Sequence, residues 1–394
     1  MSLRCRFLLP LRNNATHKYD DNNYKVYDYK QRLNMKRVLT KMAIMLTAIM
    51  IVLSAASCKR KMSPGKLLEK CGSGVVMILN QYYYKVSLPT GASIFFAGID
   101  EDGNLSKATF DENEANQNRN MCTGTGFFVS DDGKILTNRH VAQPAVDVAS
   151  TKKSVHNMLN NLKIIIERQM SEYSSQFDAL DSEKANCYSY DYDGNVYADQ
   201  NKLEQIAAKQ KEIADNFRKC KQIREQLDNI DISEIKVETV CELGVAYNDT
   251  YVTKLADFKP CVVSAISDKE NVDLAMLQLK DKRTPDEAYV FALTDSNGKV
   301  ETGETLYMIG YNAGFTVSNT SQGIKAQITS GQISQNSDSY KMLYTIPALP
   351  GSSGSPVIDA YGNLAAVNFA GFSSTQGFNY GIQYKRVKQF VDGI

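Results

Sequence analysis

The 394-residue chain is long enough for two or three domains, and its 43% hydrophobic and 23% charged residues supply an ordinary globular core. A net charge of +1 gives no electrostatic case for nucleic acid or for an acidic partner. Among eight cysteines there is no Cys-x-x-Cys pair, so neither a zinc site nor any other metal or cofactor is expected, and only three histidines offer a base.

Residues 1–34 are polar, rich in Asn, Asp, Tyr and Lys, with no periodic apolar face. Met35-Lys36-Arg37 and Lys41 then precede an apolar run from Met42 to Ala56 that ends in Ala55-Ala56-Ser57-Cys58. A basic start, an apolar stretch of roughly 15 residues and small residues at its end are the pattern of a secretory signal. The run is short for a membrane span, which needs about 20 apolar residues. Small residues before Cys58 resemble the lipobox of bacterial lipoproteins, although Ala55 stands where Leu is usual. The resemblance implies lipidation at Cys58, a signal over 35–58, an upstream extension over 1–34, and a membrane-anchored location in the bacterial cell envelope. An uncleaved signal anchor is the other reading. With Cys58 lipidated and Cys5 removed, six cysteines remain, a number compatible with disulfides in an oxidising space.

From Gly72 onward the texture is β. Val75–Leu79, Tyr82–Val86 and Ser93–Ala97 read as strands. Gly124–Val129 and Ile135–Thr137, joined across Asp131-Asp132-Gly133-Lys134, read as a hairpin with His140 directly after it. Apolar residues then recur at spacings of three and four, from Val155 through Leu159, Leu162 and Ile166 to Leu180, and again from Leu203 to Leu227. That pattern predicts two amphipathic helices folded as an antiparallel, coiled-coil-like hairpin over about 150–230, turning at Tyr190–Asn195. It reads as a structural insertion, with a partner-binding arm as the other reading. β texture resumes near Ile232, with Asp273 just before an apolar strand, and only Lys385–Val391 at the end looks helical.

Gly351-Ser352-Ser353-Gly354-Ser355-Pro356 is a glycine-flanked serine turn. Acyl transfer by a serine needs a base within hydrogen-bond reach and a third group to orient that base. Ser353 can supply the nucleophile, His140 the base and Asp273 the orienting carboxylate. The backbone N–H groups of Gly351 and Ser353 can form an oxyanion hole, with glycine at 351 for its conformational freedom. The order Ser, Asp, His and the strand–turn–helix of α/β-hydrolases are both missing.

The set Gly124-Thr125-Gly126-Phe127, Thr137-Asn138-Arg139-His140-Val141, Asp273-Leu274-Ala275 and Gly351–Pro356 resembles the chymotrypsin-fold serine proteases. It is most similar to the bacterial HtrA/Deg-like branch. The resemblance covers about 71–148 and 232–394, and it implies a mostly β fold of two antiparallel six-stranded β-barrels with the site in their cleft. The first barrel would span 71–282 with the helical hairpin inserted, and the second 283–394. His140 and Asp273 lie 133 residues apart; without 150–232 the separation falls to about 50, so the hairpin explains the excess.

Asn368, Phe369 and Ala370 would by resemblance line the primary substrate pocket and pair with the substrate backbone as an added strand. Pro347, six residues before Ser353, argues against a Lys or Arg preference, and a small or medium apolar side chain is the default. Ser352 stands where an acid is usual and no Ile-Val-Gly-Gly start appears, which argues against trypsin-style zymogen activation. Ser355 replaces a more usual glycine. No PDZ domain is expected after the second barrel. The function implied is a serine endopeptidase acting on protein or peptide substrates; a catalytically silent peptide-binding or scaffold protein is the alternative.

Overall fold

The computed structural model describes residues 29–45, 60–269, 271–295, 297–335, 340–371 and 377–394. It divides into two units, 1–60 and 61–394. In the first, residues 29–45 are helical. Cys58 and most of the expected signal lie outside the described residues, among which no helix is long and apolar enough to cross a membrane.

The second unit holds two closed antiparallel barrels. Strands β1 (Val75–Ser87), β2 (Ser93–Phe96), β3 (Asn120–Phe128), β4 (Lys134–Thr137), β5 (Lys236–Tyr247), β6 (Lys259–Ile266) and β7 (Ala275–Leu279) build the first. Their order is β2-β1-β3-β4-β7-β6-β5, and β5 returns to β1 to close a six-stranded barrel with β2 appended. The two strands expected within Val75–Val86 are one, because Asn80 and Gln81 stay in the ladder opposite Cys122 and Met121. Strands β8 (Thr305–Gly310), β9 (Gln327–Gln335), β10 (Lys341–Tyr344), β11 (Pro356–Ile358), β12 (Leu364–Gly371) and β13 (Asn379–Gln383) close the second, six-stranded barrel.

Strand alternation sorts the core. On β1, Val76 and Ile78 face the first barrel's interior with Phe128, Ile135 and Leu277. Their neighbours Val75 and Met77 belong to a second cluster with Phe127, Phe291, Ile309, Tyr311 and Ile358, which joins the barrels. There the Tyr311 hydroxyl donates to the Val75 carbonyl at 3.0 Å.

Five of the unit's helices bear on the joint, the candidate site and the insertion. Helix α1 (Pro64–Cys71) was not foreseen, although Ser63-Pro64 is a helix-start signal. It buries Leu67 and Cys71, and just before it Met62 N–H donates to Ala360 O of the second barrel at 2.8 Å. Helix α2 (Arg139–Ala142) carries His140. Helices α3 (Val148–Ala185) and α4 (Gln200–Asp228) form the expected hairpin, N-capped by Asp147 and Asp199. Only its root is anchored: Val155 and Leu159 pack with Val86, Ile94, Phe96 and Ile235. Beyond the root the helices are tied by Lys163–Asp228 at 2.9 Å and Arg224–Glu167 at 2.8 Å. The expected turn is a small two-stranded ribbon, Tyr188–Tyr190 with Val196–Ala198. Helix α5 (Tyr384–Asp392) lies over residues 265–269 and Val272 of the first barrel, with a cavity of about 390 Å³ between them lined in part by Ala265, Val272, Arg386 and Phe390.

Among the described residues the six cysteines are free thiols, not disulfides. Cys122 and Cys241 flank β1 from opposite sides, two strand spacings of about 4.8 Å apart, which exceeds the roughly 7 Å reach of a disulfide between Cα atoms.

Candidate active site

His140 sits one turn beyond β4, on α2. Antiparallel register pairs Ala275 with Thr137, so following β7 backwards carries Asp273 to the side of His140. Asp273 Oδ1 accepts from the His140 backbone N–H at 3.0 Å, and Oδ2 lies 2.6 Å from Nδ1. The carboxylate therefore fixes both the main chain and the ring, and directs Nε2 outward as the basic nitrogen. Asn138 Nδ2 donates to the Asp273 carbonyl at 2.9 Å and holds the acid from the other end. Asp273 is 20% exposed and His140 45%, so the acid is recessed while the far side of the imidazole is accessible.

The α2 turn has its own support. Fully buried Asn80 donates through Nδ2 to the Val141 and Ala142 carbonyls at 2.9 and 3.1 Å. These are C-terminal carbonyls that a one-turn helix cannot satisfy itself.

Ser353 is brought to this place by Thr125 on β3. Thr125 N–H donates to the Ser353 carbonyl at 2.8 Å, and its hydroxyl donates to the Gly351 carbonyl at 2.8 Å. Thr137 Oγ1 donates to the Thr125 carbonyl at 2.7 Å, which links the serine turn to the strand that leads into His140. Gly351 adopts φ +98°, and a Cβ there would stand 2.5 Å from Tyr311 O and 2.6 Å from Gly314 N. Only glycine fits. Gly354 is similarly forced, since a Cβ would lie 2.1 Å from the Thr125 carbonyl.

Among the described residues, neither the Gly351 nor the Ser353 N–H has a hydrogen-bond partner. Two unengaged donors beside a serine are what an oxyanion hole requires. The Ser353 hydroxyl makes no hydrogen bond to His140; such contacts commonly tighten only with substrate in place.

The expected pocket residues lie differently. Asn368 is buried at 2% exposure, and its carboxamide donates to Ser352 O at 3.0 Å while accepting from the Tyr344 hydroxyl at 2.8 Å. Both ends of its carboxamide are thus engaged within the protein. A bulge between Asn368 and Ala370 sends Phe369 the other way, where it stacks on Tyr380 at 6.2 Å beneath Lys341. The Ala370 side chain lies outside the described residues. Sequence reasoning missed Asn80, Thr125, Thr137, Asn138 and Tyr344 as supports. Of these, Thr125, Thr137 and Asn138 stood inside the quoted motifs, where residue type alone did not reveal their bonding.

Among the described residues no cluster of His, Cys, Asp and Glu is arranged to hold a metal ion. The chemistry available is that of a nucleophile, a base and backbone donors. The sequence profile of the trypsin-like peptidase domain matches residues 217–367, a stretch that holds Asp273 and Ser353 and begins after His140. No curated protein matches the chain. Together with the two closed six-stranded barrels, this match over 217–367 fits the chymotrypsin fold of the trypsin-like serine proteases.

Proposed function

We propose that this protein is a serine endopeptidase of the cell envelope that cleaves peptide bonds through an acyl-enzyme. The observation that carries the reading is the His140–Asp273 pair at 2.6 Å, joined through Thr137 and Thr125 to the Ser353 turn, with two free N–H groups in that turn. Ser353 Oγ attacks the scissile carbonyl while His140 Nε2 takes its proton, and Asp273 stabilises the imidazolium through Nδ1–H. The carbonyl oxygen, now negative, receives the Gly351 and Ser353 N–H donors. His140 then protonates the leaving amine, and a water deprotonated by the same nitrogen releases the acyl group from Ser353. An extended peptide segment is the substrate, with a small or medium apolar side chain at the cleaved residue.

A fluorophosphonate probe tests this directly. Wild-type protein is labelled, and labelling is lost in Ser353→Ala and falls at least about 10³-fold in rate in His140→Ala. Absence of labelling in folded wild-type protein would favour a silent peptide binder. Labelling retained by Ser353→Ala would assign the nucleophile elsewhere.

The envelope location rests on the basic, apolar and small residues that lead to Cys58. Cells fed a labelled fatty acid incorporate it into the wild-type chain and not into Cys58→Ala. Equal incorporation in both would sink the lipid anchor.

A further inference from the structure

The oxyanion donors are ends of peptide planes, so their direction is set by whatever holds the other ends. A trans peptide is planar, and its C=O and N–H point in opposite directions. In the Gly351–Ser352 plane, the carbonyl is held by Thr125 Oγ1 and the N–H donates to Leu349 O at 3.0 Å. In the Ser353–Gly354 plane, the carbonyl accepts from Thr125 N–H and the Gly354 N–H donates to Asn368 O at 2.8 Å.

The plane between them, Ser352–Ser353, carries the Ser353 N–H. Its carbonyl accepts from Asn368 Nδ2 at 3.0 Å and from Ser355 N–H at 3.1 Å. Asn368 also reaches the Ser352 hydroxyl at 3.3 Å, and its own backbone N–H donates to Ser355 O at 3.0 Å. Every backbone and side-chain polar group of Asn368 is thus engaged, all but one with the 352–355 turn. The exception, Oδ1, takes the Tyr344 hydroxyl, which fixes the amide so that nitrogen and not oxygen faces Ser352.

We infer that Asn368 is a positioning residue for the oxyanion hole: by holding the Ser352 carbonyl inward it turns the Ser353 N–H outward, without an ion pair from a cleaved N-terminus. The turn is closed from within, since the Ser352 hydroxyl donates to Leu349 O at 2.7 Å and the residue is 3% exposed. An acid at 352 would need a buried cation, whereas serine is satisfied by a carbonyl and an amide. The donors are therefore set in the chain as synthesised. This inference rests on the protease reading for its kinetic effect, but not for its structural one.

The test compares Asn368→Leu, of similar volume without polar atoms, with Tyr344→Phe, which leaves Nδ2 in place but frees the amide to turn. For a peptide substrate, Asn368→Leu lowers kcat about 10- to 100-fold with KM within about threefold, and Tyr344→Phe gives a smaller loss in the same direction. Inhibition by a peptide aldehyde, which places an oxyanion in the hole, weakens in step with kcat. Unchanged kcat in folded Asn368→Leu, or a rise confined to KM, overturns the inference, the latter by returning Asn368 to the substrate pocket. A crystal structure of Asn368→Leu decides independently of activity: a rotated Ser352–Ser353 peptide supports the role and an unmoved one defeats it. If wild-type protein takes no fluorophosphonate, the protease reading fails alone and that structure still judges Asn368. Should Asn368→Leu not fold, Asn368→Ser, too short to reach Ser352, is held to the same criteria.

Discussion

Gly351 concentrates the constraints on the serine turn in one position. Its φ of +98° is open to glycine and strained for other residues, and the backbone of Tyr311 and Gly314 fills the space a methyl group would need. Gly351→Ala is expected to lower kcat by about 10²-fold or more, because the turn must shift and the donor with it. It should also cost roughly 1–3 kcal/mol of stability, read as a lower melting temperature. A variant with wild-type kcat would mean that the 351 N–H takes no part. The proposed reacting residues are legible in the sequence because chemistry restricts them: a histidine follows a strand, an acid precedes another, and a serine lies in a glycine-flanked turn. Their supports are not, because Asn80 and Thr125 act through contacts between strands distant in sequence. Asn368 shows the limit well. The family resemblance implies a pocket wall there, and the packing around its carboxamide turns it toward the serine turn.

At the level of elements, the barrels are legible through alternation and turn residues, and the helical hairpin through its three-and-four spacing. Less legible are short pieces such as α1, whose eight residues carry too few turns for a clear period. The hairpin divides into a root that completes the core and an arm that does not. Val155 and Leu159 cover Val86, Ile94 and Phe96, while Ile164, Ile165 and Phe177 are exposed. Replacing 169–222 with a short turn, which preserves the Lys163–Asp228 and Arg224–Glu167 ties, should leave fluorophosphonate labelling and the melting temperature near wild type. Leu159→Ala, in contrast, should cost about 2–4 kcal/mol by leaving a cavity against the barrel. Equal damage from both changes would show that the arm, and not only its root, supports the fold.

For the molecule as a whole, buried hydroxyls and thiols at the joint between the barrels and inside each barrel make stability sensitive to alkali. Burial raises the Tyr311 and Tyr344 hydroxyls above their ordinary value of 10.0, and pushes the Cys261 thiol from 9.0 up to about 12 and Cys71 up to about 11. The unfolded chain therefore loses these protons first. Their contribution is fully present below about pH 9 and is lost as pH climbs through the folded-state values, by up to about 1.4 kcal/mol per group for each pH unit. The melting temperature should hold steady to about pH 9 and then fall steeply. Tyr311→Phe should start lower, since it leaves the Val75 carbonyl without its donor, and fall less steeply above pH 10. A flat profile to pH 11 would show that these groups do not stay neutral in the folded chain.

The two helices that flank the pair of barrels have a mechanical consequence. Helix α1 precedes the first barrel yet is moored to the second, and α5 follows the second yet rests over the first. The chain is buckled across the joint between its barrels from both ends, which opposes a wide opening of one barrel from the other. Under the proposed protease activity the substrate then comes as slack chain, and a tightly folded protein would have to loosen a stretch of itself before it could be cut.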